Sequence, residues 1–103
     1  MDLESMHNIV ADITFSDDVP EPKVKGVRSG YAPHHKFSEV DWLASGFHEY
    51  QDEILHFPGE TIEAKIRFVS WEHLRDFVKP GVSFEVRELH RVVGTGLVKE
   101  VSG

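Results

Sequence analysis

Residues 62–68 read Ile-Glu-Ala-Lys-Ile-Arg-Phe, and this stretch decides the fold. Its even-numbered positions are apolar, whereas the three odd-numbered positions between them carry charged side chains. Because a β-strand points successive side chains to opposite faces, this two-residue repeat predicts a strand with one buried face and one wet face. In a helix the same charges would be scattered around the axis.

The same alternation is present elsewhere in the chain. Residues 9–15 are apolar at every odd position, and residues 84–87 repeat the pattern in brief. Residues 92–101 are rich in β-branched side chains and include Gly94 and Gly96, which indicate a bend or a close backbone approach within a strand. These runs predict a protein built mainly from strands.

Turn signals separate the predicted strands. Pro58-Gly59 and Pro80-Gly81 each precede a strand, and this pair suits a type II turn because Pro fixes φ and Gly accepts the positive φ that follows. Residues 88–91 are predicted to close a hairpin, and residues 16–25 to form a long exposed loop. The apolar spacing at residues 71–78 predicts one short helical turn.

The length and the number of strands predict the fold class. About six strands, many turns and no internal repeat in 103 residues predict a single all-β domain over residues 1–103, a small closed barrel or a sandwich. A barrel of this size fills its interior with side chains, so no large internal cavity is expected.

The charge balance and the lack of cysteine exclude several classes of protein. Eleven basic against eighteen acidic residues give a net charge of −7, which excludes a strongly basic nucleic-acid-binding domain. Without cysteine there is no disulfide framework, thiolate metal site or cysteine nucleophile. Residues 1–60 hold 12 acidic and 4 basic side chains, so this half either steers a basic partner or forms well-solvated acidic loops.

The start of the chain predicts a cytoplasmic protein. Residues 1–10 carry Asp2 and Glu4 and lack a basic start followed by an apolar run, so no signal peptide is expected. No apolar stretch approaches the roughly 20 residues that span a bilayer.

Seven histidines raise the question of a metal site. The only close pair is His34-His35, and adjacent side chains on a strand point to opposite faces, so these two do not share one ion. We therefore expect no bound metal and no cofactor. The histidines are expected to be scattered surface imidazoles that give some pH sensitivity between about pH 5 and 7.

Catalytic motifs are also missing from the sequence. No serine lies in a Gly-x-Ser-x-Gly motif, and Gly94-Thr95-Gly96 lacks the third glycine, the Lys-Ser/Thr pair and the helix of a phosphate-binding loop. The sequence thus predicts neither catalysis nor nucleotide binding. A small metal- or ligand-dependent enzyme stays as an alternative.

Three segments resemble the C-terminal (third) domain of translation elongation factor Tu. Residues 30–37 resemble its Gly-Tyr-Arg-Pro-Gln segment, and residues 57–62 its Met-Pro-Gly-Asp-x-Ile turn. Residues 84–98 resemble its Phe-Ala-Ile-Arg-Glu-Gly-Gly-Arg-Thr-Val-Gly-Ala-Gly-Val-Val segment, and the match spans residues 9–101 in family order. The resemblance implies a six-stranded antiparallel closed barrel, which in the family works beneath a GTPase domain and a second barrel.

The departures from the family pattern bear on function. Glu85 stands where the family has an Ala that faces the GTPase domain, and a charge suits an uncovered face. His34 replaces the family's Gln, and Leu89 and His90 replace two glycines of the hairpin that the family brings close to the T stem of aminoacyl-tRNA. Side chains now occupy positions where bare backbone could approach a phosphodiester, which argues against tRNA binding in the family's way.

The leading hypothesis is a stand-alone, non-catalytic binding module for a protein partner linked to translation. It includes a mimic that presents the elongation-factor surface to a factor, a toxin or a nuclease. Candidate residues for a basic partner are Glu49, Asp52 and Glu53. The alternative is an RNA-binding barrel, for which the candidate residues are His34, Arg87, Arg91 and Lys99.

Overall fold

A computed structural model describes residues 6–102 and contains six strands. The strands are β1 (Ile9–Phe15), β2 (His34–Phe37), β3 (Ala44–Tyr50), β4 (Thr61–Phe68), β5 (Ser83–Glu88) and β6 (Arg91–Val101). One helical turn, α1 (Trp71–Leu74), is followed by a 3-10 turn at Arg75–Phe77. Asp2 and Glu4, on which the expectation about a signal peptide rests, lie outside the described residues.

The six strands form one closed barrel in the order β1-β4-β3-β2-β5-β6, with β6 pairing back onto β1. Every neighbouring pair is antiparallel. The predicted all-β fold and closed barrel are confirmed. Within residues 6–102, no helix has the length and apolar character needed to cross a membrane.

Two glycines in β6 permit the close approaches that closure requires. A Cβ at Gly94 would lie 2.5 Å from the carbonyl oxygen of Thr14, and a Cβ at Gly96 would lie 2.1 Å from the ring of Phe84. Both distances are far shorter than van der Waals contact. The close approach predicted from these two glycines is therefore confirmed, and it sets the packing of β6 against β1 and β5.

The loops divide between the two ends of the barrel. Loops 16–33 and 51–60 and the hairpin at 88–91 lie at one end, called here the hairpin end. Loops 38–43 and 69–82 lie at the other end, where Leu74 and Val78 are buried against the barrel core. The predicted loop, hairpin and helical turn are confirmed, although the helix is shorter than the 71–78 spacing indicated.

The inward faces of the strands form the core. In β1 and β4 the buried side chains include Ile13 and Ile66 and follow the predicted alternation, except that Val10 of β1 is buried as well. Strand β3 departs from this pattern because its inward residues are Ala44, Gly46, His48 and Tyr50. Polar groups therefore enter the core through β3, while an apolar side chain of the same strand, Phe47, faces outward.

Candidate functional site

The outer faces of β3 and β4 form a continuous surface. Phe47 lies opposite Arg67 in the antiparallel register, and Glu49 lies opposite Lys65. The guanidinium of Arg67 lies 4.7 Å from the ring centroid of Phe47, which is a cation–π contact. This surface thus combines an exposed aromatic ring with charges of both signs.

An acidic groove of about 330 Å³ crosses this surface near the hairpin end. Its lining residues are Glu49, Tyr50, Gln51, Glu53, Glu63 and Lys65. Two of the residues predicted for a basic partner, Glu49 and Glu53, therefore lie in one groove. Among the described residues, both are exposed and neither forms an ion pair. Glu63 was not predicted as a residue of this site, although its outward position on the predicted strand 62–68 could have identified it.

Glu63 differs from the other two carboxylates because it is already bound. The ammonium of Lys99 donates to Glu63 at 2.8 Å, and the amide of Gln51 donates at 3.3 Å. The hydrogen bond and charge of Lys99 lower the pKa of Glu63 below its ordinary value. The unpaired negative charge of the groove therefore comes from Glu49 and Glu53.

Asp52 lies beside the acidic groove and forms part of a clasp with His56 and Glu60. Nε2 of His56 donates to Asp52 at 2.8 Å, and Nδ1 donates to Glu60 at 3.2 Å. Carboxylate oxygens only accept, so both ring nitrogens carry hydrogen and the ring is an imidazolium. Burial opposes this charge, but the two carboxylates outweigh it and raise the pKa of His56. The clasp fixes the 51–60 loop that carries Asp52 and Glu53.

A second groove of about 580 Å³, called here the apolar groove, adjoins the acidic groove along β3 and β4. The two grooves share Glu49 and Lys65. The apolar groove is lined by Met6, His7, Gly30, Phe47, His48, Glu49, Lys65 and Arg67. Phe47 is 40% exposed, and the sequence reasoning did not single it out. The available signal was an apolar residue two positions before the charged Glu49.

The residues predicted for RNA binding do not form one groove. His34 lies opposite Arg87 in the register of β2 and β5, and Arg91 begins β6 at the same end of the barrel. Lys99 lies eight residues along β6 from Arg91, which is about 26 Å along a strand. It contacts Asp12 and Glu63 instead.

Each RNA candidate is also engaged within the protein. Arg87 pairs with Glu85, and Arg91 pairs with Glu88 and, at 2.8 Å, with Glu21. Nδ1 of His34 accepts a hydrogen bond from the backbone N–H of Leu89 at 3.0 Å. Glu88 and Arg91 thus pair across the hairpin at residues 88–91. Carboxylates of this chain therefore neutralise the arginine and lysine side chains that were predicted to bind RNA.

Glu88 anchors a half-buried network at the hairpin end. The hydroxyl of Tyr31 donates to Glu88 at 2.6 Å, and Lys23 pairs with it at 2.8 Å. Burial acts to raise the pKa of Glu88, but hydrogen bonds from Lys23, Tyr31 and Arg91 lower it overall. Burial and the bond to Glu88 raise the pKa of Tyr31. This network ties the 16–33 loop to the hairpin.

The prediction that the histidines are surface imidazoles is wrong for three of them. His35, His48 and His56 are buried, with 0%, 1% and 6% of their surface exposed. They are accommodated because each ring nitrogen has a hydrogen-bond partner, which removes most of the cost of burying a polar group. Gly46 also makes room, since a Cβ there would lie 2.9 Å from Cε1 of His35.

The hydrogen bonds of His35 and His48 fix their protonation. Nδ1 of His35 donates to the carbonyl oxygen of Ala44 at 2.8 Å, which leaves its Nε2 as an acceptor. Nε2 of His48 therefore donates to Nε2 of His35 at 2.8 Å, and Nδ1 of His48 accepts from the hydroxyl of Tyr50 at 3.0 Å. Both rings are neutral in this arrangement. Burial lowers the pKa of His35 to about 4 and lowers that of His48 well below its ordinary value.

Neither histidine cluster is arranged to hold a metal ion. In the core pair the facing nitrogens are bonded to each other, and the other nitrogen of each ring is occupied. In the clasp the two carboxylates bind opposite nitrogens of His56 and so do not converge on one point. Over residues 6–102 no group of three or more His, Cys, Asp or Glu residues could bind a metal.

The sequence was also compared with known proteins. No protein-family model matches this sequence, and no curated protein matches it at a significant level.

Proposed function

We propose that this chain is a non-catalytic binding module of the cytoplasm that binds a basic segment of a protein partner in the acidic groove. The observation that carries the proposal is the position of Glu49 and Glu53. Both are exposed, unpaired among the described residues, and line the same groove. Unpaired charges on a surface steer an oppositely charged partner and favour its correct orientation.

The surface charges favour a protein partner over RNA. An RNA phosphate that approached Arg87 or Arg91 would have to displace Glu85, or Glu21 and Glu88, from the guanidinium groups. A basic side chain that approached Glu49 or Glu53 would displace no partner that lies within residues 6–102. The RNA-binding alternative therefore starts from an unfavourable exchange of ion pairs.

A link to translation rests on the sequence resemblance to the third domain of elongation factor Tu. The closed barrel of six antiparallel strands agrees with the architecture that this resemblance implies. Within the proposal, the partner is a protein that recognises the elongation-factor surface, and this chain acts as a mimic or antagonist of that surface.

Affinity capture from the native cytosol tests this proposal. The wild-type chain, a Glu49→Gln/Glu53→Gln variant and a Glu72→Gln/Asp76→Asn variant would be immobilised at equal density, in about 50 mM and about 500 mM salt. Glu72 and Asp76 are exposed and lie in the 69–82 segment at the opposite end of the barrel, so the second variant matches the charge change away from the groove. We expect the wild type and the control to capture one protein at low salt, because screening is weak there.

The groove variant is expected to lose that protein, and high salt is expected to reduce its capture by the wild type and by the control. Equal capture by the wild type and the groove variant would contradict the proposal, as would capture of no protein at all. Binding of labelled tRNA to the wild-type chain at about 50 mM salt, weakened by Arg87→Gln, would favour the RNA alternative instead.

A further inference from the structure

The acidic groove and the apolar groove form one strip along β3 and β4. Outward side chains of the two strands face each other in rows, with Phe47 opposite Arg67 and Glu49 opposite Lys65. A third row follows, in which the amide of Gln51 donates to Glu63. Successive rows are two residues apart, which is about 6.7 Å along a strand.

The two ends of this strip differ in chemistry. At one end the exposed ring of Phe47 lies in a groove whose charged side chains include the cations Lys65 and Arg67. At the other end the carboxylates of Glu53 and Glu63 line the acidic groove, and Glu49 and Lys65 belong to both grooves. The distance from the Phe47 row to the Glu63 row is four residues, or about 13 Å.

An extended peptide has the same repeat as these rows. Its side chains alternate between two faces, so positions i and i+4 lie on one face and are also about 13 Å apart. A peptide lying along β3 and β4 would place one such side chain on Phe47 and the other between the carboxylates of the acidic groove. An apolar side chain suits the first position, and a basic side chain suits the second.

We propose that this strip binds an extended segment of the partner in which an apolar residue and a basic residue are four positions apart. This inference rests on the proposed function and specifies the partner sequence that the acidic groove accepts. Charge complementarity favours such a segment over a uniformly apolar one, because Glu49 and Glu53 would otherwise be covered without a counter-charge.

Fluorescence anisotropy with labelled nine-residue peptides tests the inference. Four peptides would have Ser and Thr at all other positions. One carries Arg and Phe four positions apart, one carries them three positions apart, one carries Arg alone and one carries Phe alone. Each is also made with its sequence reversed. We expect the separation of four, in one direction, to bind about tenfold more tightly than Arg alone, because a buried aromatic anchor dominates small interfaces. A separation of three puts the two side chains on opposite faces of the extended peptide. This peptide should therefore bind no more tightly than the peptide with Arg alone.

Two matched variants locate the contact. Phe47→Ser should reduce the affinity for the best peptide to that of Arg alone. Phe77→Ser should leave it unchanged, because Phe77 is equally exposed, at 40%, but lies in the 3-10 turn at the other end of the barrel. Circular dichroism on both variants checks that the barrel is folded.

The outcomes separate this inference from the proposed function. If all Arg-containing peptides bind equally and depend on Glu49 and Glu53, the inference is wrong and the proposed function stands. If no peptide binds, both are contradicted. A dimer in sedimentation velocity that Phe47→Ser converts to a monomer would also overturn the inference, because a second copy would then occupy the strip.

Discussion

Strand β3 presents two faces with opposite properties. On its inner face, the imidazole of His48 and the hydroxyl of Tyr50 are buried and joined in a hydrogen-bond chain. On its outer face, Phe47 and Glu49 are exposed, and Glu49 has no ion-pair partner among the described residues. The polar groups of the inner face have their hydrogen-bond partners within the barrel, whereas the groups of the outer face are exposed and available to a partner protein.

The contrast separates stability from binding along a single strand. A buried polar group that loses its partner destabilises the fold, because water cannot replace the lost hydrogen bond. An exposed carboxylate or aromatic ring costs little in the free protein and gains when a partner covers it. Substitutions on the inner face should therefore change the free energy of unfolding, and substitutions on the outer face should change binding.

The largest effect is expected for His48→Ala. This change leaves a cavity in the core and removes the partners of Tyr50 and of Nε2 of His35. We expect the free energy of unfolding to fall by about 3 kcal/mol, as measured by urea denaturation at pH 7.

The matched control for that change is His73→Ala, on an exposed residue of α1, which should stay within about 0.5 kcal/mol of the wild type. A loss below about 1 kcal/mol in His48→Ala would show that the buried histidine chain contributes little.

Acidification from pH 7 to pH 5 is expected to weaken the barrel. The pKa of His35 is about 4 in the folded chain, against 6.5 in the unfolded chain, so the unfolded state binds the proton first. Stability from His35 is present above pH 6.5 and is lost as the pH falls toward 4. Between pH 7 and pH 5 the loss is about 2 kcal/mol, and His48 acts in the same direction.

Urea denaturation at pH 7, 6 and 5 measures this slope. A free energy of unfolding that is constant or increases over this range would contradict the neutral arrangement of the core pair.

A smaller effect, with the opposite dependence on pH, is expected for His56→Asn. The pKa of His56 is raised in the folded chain, so its contribution is complete below pH 6.5 and is lost as the pH rises through the folded-state value. We expect the variant to be less stable than the wild type by about 1 kcal/mol at pH 6, because two charge-assisted hydrogen bonds are lost.

At pH 9 the difference between His56→Asn and the wild type should be smaller, and thermal denaturation at the two pH values measures it. A difference that grows with pH would mean that His56 is neutral in the folded chain.

The sequence predicted the barrel better than it predicted the site. Residues 9–15 and 62–68 have apolar inward positions and, apart from Val10, polar outward ones, so periodicity alone identified β1 and β4. In β3 the inward positions are Ala, Gly, His and Tyr, and an outward position is Phe47, so the inner and outer faces of the strand differ little in hydrophobicity. Periodicity could not identify such a strand.

Long-range contacts explain the remaining failures. Whether a histidine is buried and neutral, as His48 is, or buried and charged, as His56 is, depends on partners that the fold supplies. Likewise, Lys99 was predicted to be available to RNA because its carboxylate partner Glu63 is distant in sequence, and Glu21, one of the two carboxylate partners of Arg91, is distant as well. The acidic candidates Glu49 and Glu53 came together in one groove because loop 51–60 directly continues β3.

The affinity of the labelled Arg–Phe peptide for the Glu49→Gln/Glu53→Gln variant, relative to the wild type at about 50 mM salt, tests the central claim most directly. We predict a loss of about tenfold, with the free energy of unfolding unchanged within about 0.5 kcal/mol. An unchanged affinity, or a loss of affinity that is matched by a loss of stability, would contradict the assignment of the outer face of β3 to binding.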